Sequence, residues 1–293
     1  MITAQLSDLQ QRINRALDQR LPTESTIAQA IVDAMRHSVL GGGKRLRPML
    51  ACATAEAFGA SIEDAFPAAC AVEFIHAYSL IHDDLPAMDD DELRHGLPSA
   101  HVAFGEANAI LAGDSLHSLA FETIATATMH PIENRLKMIE VLSQAAGWSG
   151  MAGGQCLDIA AEGQTLSLSE LQALHGAKTG ALIRASVQLG ALSAQVGDGE
   201  QYSLLTEYGN RIGLAFQVMD DVLDVTQSTE TLGKPAGSDT AADKNTFPRL
   251  MGLNQARDMA HTLVDEAMAM LKRTRLETTL LEQLAQLVVD RSY

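Results

Sequence analysis

Residues 79–95 read SLIHDDLPAMDDDELRH and pack five aspartates, Asp83, Asp84, Asp89, Asp90 and Asp91, into nine residues at the end of an apolar run. Like charges this close repel one another unless a cation sits among them. An acidic run is ordinarily a solvated loop. What separates this one from that reading is a second cluster far downstream, Asp220, Asp221 and Asp224 in FQVMDDVLDV. Asp220 and Asp224 are i, i+4 neighbours that project from one helix face, with Asp221 and Gln217 flanking the same stripe. Apolar residues on both sides, among them Phe216, Val218, Val222 and Leu223, draw these carboxylates toward an interior where uncompensated charge is costly. Hard oxygen donors in this number suit Mg²⁺, which keeps several waters and is completed by substrate phosphates rather than by an all-protein cage.

Outward from the two clusters, spacing and punctuation are helical. Hydrophobic residues make up 46% of the 293 and aromatics only 4%; Ala and Leu carry the apolar content, which favours helices over strands. The pattern predicts helices over 3–20, 24–39, 48–58, 62–85, 102–128, 132–161, 169–192, 199–226, 254–273 and 277–290. Gly41 to Gly43 stop the second, Pro48 suits the first turn of the third, and Pro131 opens a later one. No Pro, Gly or Ser-rich linker, repeat or two-residue strand alternation appears. The expectation is all-α: a single domain over 1–293, with about ten helices around a central cavity.

A net charge of −16 argues against nucleic acid and against an anionic membrane surface, since both need a basic patch. The three cysteines, Cys52, Cys70 and Cys156, form no CxxC, so neither a disulfide framework nor a zinc site is indicated and a reducing cytoplasm fits. Residues 1–20 lack the continuous apolar core of a signal peptide, and no later stretch reaches membrane-spanning length. A soluble cytoplasmic protein without stable membrane insertion is expected.

Between the helices lie smaller pieces of chemistry. Gly41 to Pro48, GGGKRLRP, joins a Gly-rich turn to Lys44, Arg45 and Arg47; it reads either as a helix C-cap followed by surface cations or as exposed backbone N–H groups that, beside such cations, cradle a diphosphate. It is no Walker loop, because Arg45 follows the Lys where Ser or Thr should stand. His76 and Asp83, seven residues apart, nearly eclipse on one helix face. Glu73 and His76 form an ExxH pair, but a carboxylate-bridged di-iron bundle needs that pair twice and it occurs once. Asp83 and Asp89 would lie about 240° apart on an unbroken helix, so a bend at Pro86 is needed to bring them to one ion.

The DDxxxxD and DDxxD stretches, together with GGGKRLRP and in matching order from about Gly41 to Leu250, resemble the bacterial short-chain trans-prenyl diphosphate synthases. The resemblance implies head-to-tail condensation of isopentenyl diphosphate with an allylic diphosphate, dimethylallyl and then geranyl, to farnesyl diphosphate; a geranylgeranyl (C20) product is the alternative. It implies three Mg²⁺ ions, with Mn²⁺ as a substitute, held by Asp83, Asp89 and Asp220 with Asp84 and Asp224 in support. Gly43, Lys44, Arg47, His76 and His95 correspond to the isopentenyl diphosphate site, and Arg94 reaches for the allylic diphosphate. Lys178, Thr179 and Gln217 correspond to residues that steady the diphosphate and the developing carbocation. Lys234 and Lys244 belong to a 227–248 segment that closes over the site. Tyr78, five residues before Asp83, with small Ser79 beside it, corresponds to the position that limits chain length, and the chain is expected to act as a homodimer.

His95 departs from the family, which carries a second Arg there, and the chain ends on a less basic stretch than is common. Two other classes stand beside this one. A class I terpene cyclase would place Ser or Thr at 224 and Glu at 228, where this chain has Asp224 and Ser228. A noncatalytic partner of a prenyl synthase usually lacks one aspartate cluster, and both are intact here.

Overall fold

The computed structural model describes residues 4–226 and 245–290. Its elements are α1 (Ala4–Arg20), α2 (Gln29–Leu40), α3 (Leu46–Ala57), α4 (Phe66–Asp83), a two-stranded hairpin of β1 (Leu93–Arg94) and β2 (Leu97–Pro98), α5 (Ala100–Phe104), α6 (Glu106–Ala125), α7 (Ile132–Ala146), α8 (Met151–Ala160), α9 (Leu168–His175), α10 (Ala181–Ser193), α11 (Gly199–Asp224), α12 (Phe247–Met251), α13 (Leu253–Thr274) and α14 (Thr279–Val289). The architecture is all-α, as the composition predicts.

Sequence decides which helices are central. α3 buries almost every residue and α4 buries Pro67 to Ile75 without a break, the mark of helices enclosed by others. α4 packs on α3, α6 and α10, and α10 on α3 and α11. α1, α13 and α14 are outer helices with one buried stripe each, such as Leu6, Leu9, Ile13 and Leu17 on α1.

The structure corrects several predicted boundaries. The helix expected over 132–161 is broken between Ala146 and Met151, where Gly147 is extended and Gly150 takes a non-helical conformation. The one expected over 169–192 contains a widened π turn, Gly176–Gly180, between α9 and α10. α4 does not bend at Pro86: it ends at Asp83, because proline lacks the N–H that continues a helix and biases Leu85 away from helical geometry. The hairpin had no alternation to announce it. Its two-residue turn, His95 and Gly96, has φ of 53° and 79°, the positive-φ geometry of a tight hairpin turn.

Candidate active site

A cavity of about 900 Å³ opens among α4, α8, α10, α11 and the hairpin. Eleven residues singled out from sequence border it: Arg47, His76, Tyr78, Ser79, Asp83, Arg94, His95, Lys178, Thr179, Gln217 and Asp220. Gly43, Lys44, Asp84, Asp89 and Asp224 are described but do not border it. Lys234, Lys244 and most of the expected closing segment lie outside the described residues.

Asp83 stands at the last residue of α4 and Asp220 within α11, and both reach the cavity. After α4 the backbone doubles back, so that the Asp89 N–H donates to the Asp83 carbonyl at 2.8 Å. The turn brings the two backbones together, while only Asp83 of the pair borders the cavity. Burial, with Asp89 adding to it, pushes the Asp83 carboxyl up to about 6, against a lowering by Lys178. Asp84, 2% exposed, turns to Arg94, whose Nε lies 3.1 Å from one carboxylate oxygen and 3.3 Å from the other and whose Nη2 also bonds it. Asp224, 3% exposed, is buried within the same helix that presents Asp220.

The donor set fits a hard divalent ion. Asp83 and Asp220 offer carboxylate oxygens to one cavity, and the raised Asp83 pKa marks a desolvated carboxylate that a cation would return to the charged form. Among the described residues no three His, Cys, Asp or Glu side chains converge as a closed cage. That leaves the remaining coordination positions to water and phosphate oxygens, the habit of Mg²⁺.

The Gly41–Gly43 turn, with φ of 128° at Gly42 and 110° at Gly43, runs against His95: a side chain at Gly43 would come within 3.7 Å of the His95 Nε2. Arg45 is no surface cation. It is buried, and donates to Glu73 at 2.7 Å, to the Asn14 side chain at 2.8 Å and to the Val39 carbonyl at 2.5 Å. Glu73 is thereby engaged in an ion pair, which removes the ExxH metal reading. Arg47 and His76 share the cavity wall, and burial together with Arg47 holds the His76 imidazole well below its ordinary pKa. Burial and Arg94 lower His95 as well; both rings are neutral hydrogen-bonding groups near pH 7.

On the opposite wall the π turn presents Lys178 and Thr179. Such widened turns concentrate at functional sites. α8 lies so close that a side chain at Gly154 would meet the Lys178 backbone N at 2.2 Å and Cα at 2.5 Å. One turn on, Asp158 accepts from Lys178 Nζ at 2.6 Å. The Thr179 hydroxyl donates to Gln217 Oε1 at 2.9 Å, and Gln217 Nε2 donates to Asp221 at 2.9 Å. The other Asp221 oxygen accepts the Phe247 N–H at 3.0 Å. Sequence reasoning missed Gln155, Asp158 and this role of Asp221. The first two carried a signal, polar residues three apart on the otherwise apolar helix MAGGQCLDIA.

Comparison with known proteins decides the family: the model described as Polyprenyl synthetase matches residues 28–287. The chain belongs to the polyprenyl synthetase family. It is 49% identical to a farnesyl diphosphate synthase of Escherichia coli over 98% of each chain. To one of Haemophilus influenzae it is 44% identical over 98% of this chain and 97% of that one. Among solved structures, a geranyltransferase of Helicobacter pylori complexed with magnesium and isoprenyl diphosphate superposes with a TM-score of 0.86, at 33% identity, covering 99% of this chain and 98% of that one. Members of this family are generally Mg²⁺-dependent and act on isopentenyl and allylic diphosphates.

Proposed function

We propose that the chain is a farnesyl diphosphate synthase, a prenyltransferase that joins isopentenyl diphosphate to dimethylallyl and then geranyl diphosphate. The observation that carries this reading is one cavity bordered by Asp83 and Asp220, by the basic and imidazole groups Arg47, His76, Arg94 and Lys178, and by the Tyr78 ring. Full-length similarity to farnesyl diphosphate synthases supports it. Asp83, Asp89 and Asp220, with Asp84 and Asp224 behind them, would hold Mg²⁺. Bound there, the ions would offset charge that builds on the departing diphosphate.

The reaction begins when the C1–O bond of the allylic diphosphate breaks and its electron pair leaves with the diphosphate, toward Arg94 and Lys178. Asp158 keeps Lys178 in place. The π electrons of isopentenyl diphosphate, whose own diphosphate is held by Lys44, Arg47, His76 and His95 beside the Gly43 turn, then form the new carbon–carbon bond at C1. Loss of a proton to the released diphosphate restores an alkene. Thr179 and Gln217, linked to each other, face the cationic stage. Water would trap the cation and must be kept from it at this stage. Tyr78 lies about 7.5 Å along α4 from Asp83, edge-on to His82 and His117 with ring centroids 5.2 Å apart in each case, and limits the tail to C15.

The chain works as one domain and as a homodimer in the cytoplasm. Exposed apolar residues support the dimer: Leu111 on α6, Leu136 on α7 and Trp148, the last 89% exposed. No helix among the described residues is long and apolar enough to cross a membrane. Incubation with the two C5 diphosphates and Mg²⁺, followed by chain-length analysis, tests the reading. Farnesyl diphosphate is expected; a C20 product alone, or no condensation, would overturn it.

A further inference from the structure

Arg45 stands between Lys44 and Arg47 in the chain, yet it does not border the cavity. Its guanidinium points into the interior instead, and the residue is 6% exposed. Three elements hold it there: α1 through the Asn14 side chain, the end of α2 through the Val39 carbonyl, and α4 through Glu73, whose carboxylate is buried with it. A buried ion pair adds little net stability, because desolvation offsets most of its attraction; its best-attested use is to fix register.

The backbone shows what this pair fixes. Arg45 has φ of 56° and ψ of 31°, and its carbonyl accepts the Met49 N–H at 3.0 Å, so α3 starts from a left-handed residue. A residue other than glycine keeps that conformation only where its surroundings over-determine it. Arg47 is the second residue of α3, so the contacts of Arg45 set the direction in which it leaves for the cavity. On the other side of Arg45, the Gly43 carbonyl accepts from Gln10 Nε2 of α1 at 3.2 Å. Across that trans peptide the Lys44 N–H points the opposite way, away from α1. Glu73 precedes His76 on α4 by three residues, about one turn. Lys44, Arg47 and His76 are thus each tied to the buried pair or to α1.

We propose that Arg45 is a positioning residue for the isopentenyl diphosphate site, acting through Lys44, Arg47 and His76, and that the outer helix α1 belongs to this device through Asn14 and Gln10. This rests on the prenyl-transfer reading above. Asp83, Lys178 and Asp220, on the allylic side, lie at the end of α4, on the π turn and on α11, so the two substrates should respond differently.

Steady-state kinetics with each substrate varied in turn tests this. Arg45→Met combined with Glu73→Leu removes both charges and strands neither, a change that cores often accept without loss of stability. It is expected to raise KM for isopentenyl diphosphate about tenfold, with the allylic KM within about twofold and kcat within about threefold, the pattern of lost substrate binding. Asn14→Ala and Gln10→Ala should each raise the same KM about threefold, the scale of one hydrogen bond. Asn14→Asp, which keeps an acceptor for Arg45, should restore the wild-type value. A merely structural part would move the urea midpoint and leave the ratio of the two KM values alone. If the double variant does not fold, the α1 variants decide by themselves. An unchanged isopentenyl KM in folded variants, an equal rise in both KM values, or an Asn14→Asp variant no better than Asn14→Ala would overturn the proposal while leaving the prenyl-transfer reading intact. A wild-type protein that failed to condense the C5 diphosphates would overturn both.

Discussion

At the end of α4, Asp83 faces the cavity while Asp84 turns to Arg94; within α11, Asp220 faces the cavity while Asp221 turns to Gln217 and the Phe247 N–H. Neighbouring residues on a helix point about 100° apart, so an Asp-Asp pair cannot aim both carboxylates at one ion. In each pair the first residue borders the cavity and the second anchors the scaffold around it. The anchors differ in kind. Asp84 is matched to a partly exposed guanidinium, whereas Asp221, also 2% exposed, gathers an amide and a buried backbone donor.

The cavity-facing pair should behave alike. Asp83→Asn and Asp220→Asn are each expected to lower kcat at least about 10²-fold, the scale of losing a major electrostatic contribution to the transition state, with folding retained by circular dichroism. Near wild-type turnover by either variant at saturating Mg²⁺ would break the equivalence.

The anchoring pair should separate. Asp221→Ala strands the Phe247 N–H and the Gln217 amide in the interior, and urea denaturation should register a loss of about 1–3 kcal/mol. Asp84→Ala leaves Arg94 able to reach water, so its cost should stay below about 1 kcal/mol. The reverse order would mean that the ion pair, not the neutral network, is the stronger anchor.

The proposed length limit lies on the α4 side, at Tyr78. Tyr78→Ala should shift product from C15 toward C20 and longer, read by chromatography of the dephosphorylated alcohols. A folded, active variant that still stops at C15 would place the limit elsewhere. The smallest effect concerns the hairpin: His95→Arg adds a charge where a neutral ring stands and should lower KM for isopentenyl diphosphate a few-fold. An unchanged or raised value would show that residue 95 does not meet that substrate.

How far these features could be read in advance depended on whether they were periodic. α4 and α11 were legible because their apolar spacing is long and regular, and with them the carboxylates they carry. The Gly41–Gly43 turn was legible from composition. What was hidden depends on contacts between segments distant in sequence. Nothing local marks the π turn that presents Lys178, since it is stabilised against α8 through Gly154. Arg45 reads as a surface cation until the fold brings Glu73 and Asn14 to it. Pro86 was noticed, but whether a proline bends a helix or ends it depends on where the following backbone can go. Here the Asp89 N–H found the Asp83 carbonyl.

The two cavity-facing aspartates are more than a hundred residues apart in the chain, and this sets an order of events during synthesis. At about 5–20 residues per second, α4 leaves the ribosome on the order of ten seconds before α11 exists. During that interval Asp83 has no partner carboxylate across a cavity, so a divalent ion gains little from the nascent chain. An ion that binds only after both halves have met stabilises the finished fold and none of its precursors. Uptake of an ion held as proposed above would therefore follow folding and not guide it.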